Sequence, residues 1–280
     1  MIQTSILSRF FSSATLNRLI AGRPAPVFQL ARTQLQQPGL TTNQSVIEAV
    51  YTEMANSYRN EYYYKNMLLN KILLGRHSIN TSVALRELPV AGSILDFLII
   101  NGIGQVYEIK TGLDNLERLP GQLSDYYQAF STVNVVTDAS HLTGVTQAVA
   151  DLPVGIIELT KRQQLSVKRL PQVDESHLDI TAMFKIMRKP EFESILLKYF
   201  GELPHVNAFE YYDVCRDLMA QLSPVVVQQE LLKALKQRTQ IQRFASEFDQ
   251  VPQPLKEIVY FSNYGATQYQ QLSQFLTAKA

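Results

Sequence analysis

The spacing of apolar residues changes at Ser82, and that change limits the folds open to the chain more than any other feature. From Asn43, a candidate N-cap, to Leu74 the apolar side chains return at helical spacing, and Gly75 supplies a stop signal. This predicts one long helix or two joined near Asn60. After Ser82 come short runs with period two or continuous apolar character at 82–90, 93–100, 105–111, 133–137 and 154–159, with 165–170 as a candidate edge strand. Helical segments fall at 121–131 and 143–152. A meander followed by alternating helices and strands predicts an α/β sandwich with a mixed sheet. Beyond Pro171 the strand signals fade, and 179–188, 191–200, 208–222, 224–248 and 255–276 read as helices. Three parts are therefore expected: a basic segment and linker over 1–42, an α/β domain over 43–172 and an all-helical domain over 173–280.

The first part has two readings. No acidic residue precedes Glu48, while Arg9, Arg18, Arg23 and Arg32 are spread among Ser, Leu and Phe, a composition that a mitochondrial transit peptide shares. The other reading is a short helix, about 5–21, packed on the main domain or meeting a partner through its basic face. Residues 22–43, with Pro24, Pro26, Pro38 and Gly39, suit a connector, so the globular part is expected to start near Thr42.

With 280 residues, 46% of them hydrophobic, the chain has enough apolar material for one large core or two modest ones. Its net charge is only +1, so a polyanion would have to be met by a local patch. The lone Cys215 excludes an internal disulfide, and the four histidines lack zinc-site spacing. A reducing, cytoplasmic setting is the natural expectation. No apolar run approaches the roughly 18 residues of a membrane span.

Chemistry concentrates in two neighbouring strands. In Ser-Ile-Leu-Asp-Phe-Leu-Ile-Ile, Asp96 is a lone polar side chain among apolar neighbours. A carboxylate there costs several kcal/mol unless it is paired, hydrogen-bonded or bound to a cation. The bland explanation is an Asp that caps a nearby backbone N–H. In the next strand, Gln-Val-Tyr-Glu-Ile-Lys, Glu108 and Lys110 are two apart and share a face of the pleat. If Asn101–Ile103 form a three-residue loop, Ile100 pairs with Gly104 and Asp96 falls opposite Glu108, with Cα atoms about 4.5–5.5 Å apart. A two-residue loop would send the acids to opposite faces. Gly102 and Gly104 suit the odd loop or a bulge. Two facing carboxylates need a proton or a cation between them, and oxygen-only donors favour Mg²⁺ or Mn²⁺. Lys110 is placed to stabilise phosphate charge or to act on the attacking water. The bland alternative for Glu108 and Lys110 is a solvated surface pair.

Asp followed after a hairpin by Glu-x-Lys resembles the PD-(D/E)XK nuclease superfamily, as does the order of elements across about 58–160. The resemblance implies a restriction-endonuclease-like core, with Asp96 and Glu108 as metal ligands and Lys110 as the catalytic lysine. Leu95 stands where the family commonly has Pro. The resemblance further implies that Glu61, on the preceding helix, completes the metal's coordination; the competing assignment is an i,i+4 pair with Lys65. Gln122 and Tyr126 resemble the Gln-x-x-x-Tyr motif of the RecB-like branch, which includes Cas exonucleases, and this implies contact with the scissile strand.

A phosphodiesterase acting on DNA rather than RNA is thus expected, with Mg²⁺ or Mn²⁺ as cofactor and a place in phage defence or mobile-element biology. The rival expectation is an inactive relative that binds nucleic acid or protein. The helical part is a candidate surface for a homodimer or protein partner. Lys185, Arg188, Lys189, Lys233, Lys236, Arg238 and Arg243 are candidates for a basic groove, against the default of solvated helix faces. Tyr62, Tyr63 and Tyr64 are more readily explained by packing than by base stacking.

Overall fold

A computed structural model describes residues 2–35 and 39–280. The chain forms two compact units, Met1–Asn80 with Thr239–Ala280 and Thr81–Arg238. This division differs from the one expected at 42 and 172. The reason is which partner buries each helix. The stretch from Asn43 finds its cover at the C-terminal end, where Asn43 Nδ2 donates to the Phe275 carbonyl at 2.9 Å and Thr42 bridges Lys279. The helices from Ile180 to Lys236 instead share a core with the sheet.

In the first unit, α1 (Thr4–Phe10), α2 (Ser13–Ile20), α3 (Pro26–Leu35), α4 (Asn43–Ser57) and α5 (Glu61–Leu68) follow in order, and α5 runs on through a π turn, Leu69–Leu73. The single helix expected over 5–21 is two, because the Ser12 side chain accepts from Thr15 N–H and starts a new helix. The connector expected over 22–43 is in large part helical and contributes to the core. Pro26 opens α3, where its missing N–H costs nothing, and Phe28 and Ala31 are buried; Pro38 lies outside the described residues. Phe10 stacks on Phe28 at 5.7 Å and Phe11 on Tyr62 at 5.0 Å, so the basic N-terminal segment belongs to this unit's core. Tyr63 and Tyr64 are fully buried, so the tyrosine run is packing. The expected break near Asn60 is present: Asn60 caps α5 by accepting from Tyr63 N–H.

A neutral polar hub centres on buried Asn66. Its Nδ2 donates to Tyr51 Oη at 2.8 Å and to the Gln253 carbonyl at 3.1 Å, and its Oδ1 accepts from Glu257 N–H at 3.1 Å. Glu257 lies in the first turn of the helix Lys256–Phe261, where backbone N–H groups have no partner within the helix. Asn66 supplies that partner.

The second unit is α/β. A six-stranded mixed sheet runs in the order β1 (Val83–Val90), β2 (Ser93–Asn101), β3 (Ile103–Lys110), β4 (Thr132–Thr137), β5 (Gly155–Leu159), β6 (Leu165–Arg169). The meander β1–β3 is antiparallel; β3–β4 and β4–β5 are parallel, and β6 closes the edge antiparallel to β5. The two parallel steps need crossovers, supplied by α6 (Leu119–Tyr127) and α7 (Leu142–Ala148). Thereafter come α8 (Ile180–Ile186), α9 (Lys189–Phe200), α10 (Tyr211–Met219) and α11 (Pro224–Lys236). Leu98, Ile100 and Val106 of the sheet share one core with Leu123, Met183, Leu196 and Leu231 of the helices. Among the described residues no helix is long and apolar enough to cross a membrane.

Candidate functional site

The β2–β3 hairpin sets the site. Ile100 pairs with Gly104 and Phe97 with Tyr107, the register that the three-residue loop requires. Gly102 takes the left-handed backbone, φ 76°, that this turn needs. Gly104 also leaves room for packing: a Cβ there would lie 2.6 Å from the end of the Leu232 side chain, which would have to shift. The ladder between β2 and β3 runs to Phe97 and Tyr107, one residue short of Asp96 and Glu108.

Regular pairing ends at that point. In the β1–β2 ladder the position between Arg86–Phe97 and Leu88–Leu95 is skipped, and Glu87 there has φ 54°. Leu95 joins the same core as Leu98 and Ile100, which strict alternation forbids, so β2 changes face at Asp96. With the β2 backbone turned away, the N–H of Ile109 donates instead to Asp96 Oδ2 at 2.7 Å. The backbone cap weighed for Asp96 is therefore present.

Glu108 is 1% exposed and both its oxygens are engaged. Lys110 Nζ lies 2.7 Å from Oε1, and the Tyr126 hydroxyl donates to Oε2 at 2.7 Å with the Ile94 carbonyl 2.9 Å from the same hydroxyl. Lys110 also donates to Gln122 Oε1 at 2.8 Å. A buried carboxylate–ammonium pair is thus braced from α6, in place of the solvated surface pair. Burial, and next the charge of Glu108, pushes the Tyr126 phenol far above its ordinary range; Asp96 adds to the rise, which sets its charge near the same hydroxyl. Tyr126 is a neutral donor here.

The matching of strand to helix was legible in retrospect. Residues two apart on a strand advance about 6.6 Å and residues four apart on a helix about 6 Å. Glu108 and Lys110 can therefore meet Tyr126 and Gln122 one to one. Tyr126 itself is wholly buried, so the strand contact implied for it is replaced by a contact to Glu108. Gln122 is half-buried and borders a cleft of about 690 Å³ along the first turn of α6, shared with Ser93, Ile94, Arg118 and Gly121.

Glu61 belongs to the first unit, where its carboxylate lies 2.5 Å from Lys65 Nζ, the i,i+4 pair. Among the described residues no cluster of three or more His, Cys, Asp or Glu side chains forms a metal cage. A cation at Asp96 and Glu108 would hold two protein carboxylates and water. Three of the seven basic residues expected to form a groove, those between 233 and 238, have partners within this unit. Lys233 pairs with Glu230, Arg238 with Glu191, and Lys236 donates to the Thr81 carbonyl. Burial raises the pKa of the Cys215 thiol, as befits a structural cysteine.

No curated protein and no solved structure matches the chain. The family model described as bacteriophage P4 protein cII matches residues 54–253, from the end of α4 through the whole α/β unit and beyond it. The chain belongs to the bacteriophage P4 protein cII family.

Proposed function

We propose that the second unit is a metal-dependent nuclease that hydrolyses phosphodiester bonds, in DNA rather than RNA, on a restriction-endonuclease-like core of the PD-(D/E)XK kind. The observation that supports this reading most is the buried Glu108–Lys110 pair on β3, next to the point where the β2–β3 ladder ends at Phe97 and Tyr107 and Asp96 follows on β2. The donor set fits Mg²⁺ or Mn²⁺. It is oxygen-only, it lies at a disrupted strand pairing, and each carboxylate oxygen that accepts one hydrogen bond retains a lone pair. When bound, such an ion polarises the phosphate and lowers the pKa of a water. Asp96 and Glu108 are the residues to hold it. Lys110 brings a positive charge to the phosphate or the water. Gln122 fixes the ammonium of Lys110, and Tyr126 fixes the rotamer of Glu108. The family takes its name from a bacteriophage protein, which suits a setting in phage or mobile-element biology.

A second reading, a nuclease-like fold that binds nucleic acid or protein without cutting, is favoured by the closure of the network: Glu108 has a partner on each oxygen. Assays on a plasmid and on a labelled single strand, with Mg²⁺, Mn²⁺ or EDTA, separate the two. Metal-dependent cutting that disappears in Asp96→Asn is the expected outcome. Tight binding with no cutting in either metal selects the second reading.

A further inference from the structure

We infer that the cavity framed by α1, α2 and α3 in the first unit binds an anionic amphiphile, a phosphate monoester held by Arg18 and Arg9 with its aliphatic chain laid over Ile6 and Leu30; this stands apart from the nuclease reading. The cavity measures about 910 Å³, within the roughly 300–1,000 Å³ of small-molecule sites. Its lining comes from residues between Gln3 and Gln34, a stretch that ends before the first acidic residue of the chain, Glu48. No carboxylate lines it, so its charge is wholly positive. Neither guanidinium has an ion-pair partner among the described residues, whereas Arg216 and Arg238 of the second unit are each tied to a carboxylate.

Arg18 is also oriented in advance. Its Nε donates to the Pro24 carbonyl at 2.8 Å, which fixes the plane of the group and leaves the two terminal nitrogens as donors. A planar fork of that kind matches two oxygens of one phosphate. Ser8, Ser12 and Thr15 donate their hydroxyl protons to the Ser5 and Arg9 carbonyls, so the charged donors left for an anion are the two arginines. Two guanidinium groups suit a phosphate monoester, which carries about 1.5–2 negative charges at neutral pH, better than a carboxylate with one.

The apolar lining decides the rest of the ligand. Ile6 and Ala25 are buried beneath the cavity, Val27 is half-buried, and Leu30 is 52% exposed on a helix whose Phe28 and Ala31 already reach the core. An aliphatic chain there removes apolar surface from water on both sides of the contact. No aromatic ring is among the lining residues, so a base would have nothing to stack on, which separates this ligand from a nucleotide or a nucleic-acid strand.

Isothermal titration calorimetry on the full chain, with octyl phosphate below its micelle concentration, octanoate and inorganic phosphate, tests this. Octyl phosphate is expected to bind at least tenfold more tightly than either of the others. Arg9→Gln with Arg18→Gln should weaken it tenfold or more; Leu30→Asn should weaken it severalfold and leave the affinity for inorganic phosphate as it was. All three side chains are exposed, so the thermal midpoint should stay level. Wild-type affinity in the folded double variant overturns the site, as does a wild type that binds no octyl phosphate. Inorganic phosphate or octanoate bound as tightly as octyl phosphate overturns the amphiphile or the phosphate, respectively. A labelled single-stranded oligonucleotide that displaces octyl phosphate, and fails to bind the double variant, assigns the face to nucleic acid and overturns the inference likewise. Metal-dependent cutting is expected to be unchanged in the double variant, so a failure here leaves the nuclease reading as it stands.

Discussion

The two units each bury a polar network, and the networks differ in what they satisfy. Around Asn66 every partner is neutral, and two of them are backbone groups, the Gln253 carbonyl and the Glu257 N–H. The Glu257 N–H would be buried without that partner if the amide were lost, so the hub is explained by the fold itself. Around Glu108 the bonds run mainly from side chain to side chain, among Lys110, Gln122 and Tyr126, with one from Tyr126 to the Ile94 carbonyl. Little of the backbone depends on them, and a buried ion pair can be replaced by apolar residues of similar volume at little or no cost in stability. One network holds the chain together; the other spends stability on placed charge, and placed charge is what a reaction centre requires.

Breaking the networks should therefore have opposite signatures. The largest effect belongs to the charged one. Asp96→Asn is expected to reduce metal-dependent cleavage on the order of 10³-fold in single-turnover assays, with the protein still folded. Removing half of the ion pair by Lys110→Met should cost about 3–5 kcal/mol in urea unfolding, because Glu108 is left buried and unpaired. The double change Glu108→Gln with Lys110→Met should regain most of that loss and remain inactive. A double variant as unstable as the single one would break the contrast between the networks. Asn66→Leu should lose about 1–3 kcal/mol through the unsatisfied Glu257 N–H, while cleavage per folded molecule is unchanged.

The smallest effect sharpens the comparison within the second unit, where a different ion pair is structural. Burial alone would raise the Glu191 pKa, but the Arg238 guanidinium and the Arg188 N–H outweigh it and hold it below the usual value near 4.5. A depressed carboxylate stabilises the fold above its unfolded pKa, and that stability fades as pH falls through the lower folded value. Acid unfolding below about pH 4.5 should accordingly be shallower in Glu191→Gln than in the wild type. A parallel pH profile for wild type and variant would count against the pair.

Much of the second unit was legible because strands announce themselves by short apolar runs, and all six lie within a few residues of where the spacing places them. The hairpin register could be read from Asn101-Gly102-Ile103-Gly104 because parity leaves two options and a glycine at the turn favours one. Gln122 and Tyr126 could be found by their spacing, yet the burial of Tyr126 could not, since an i,i+4 pair does not say which end faces water. In the first unit the prolines between 22 and 43 suggested a connector, but Pro26 opens a helix. Proline at a first turn and proline in a loop look alike in sequence.

Local rules, then, determined the strand and helix order and the parity of the β2–β3 hairpin. Tertiary structure alone decided that residues 43–80 join the two chain ends, that the later helices cover the sheet, and that Ile109 gives its N–H to Asp96. Those outcomes depend on which distant surface buries each apolar face and on where a ladder breaks. Spacing along the chain carries no record of either.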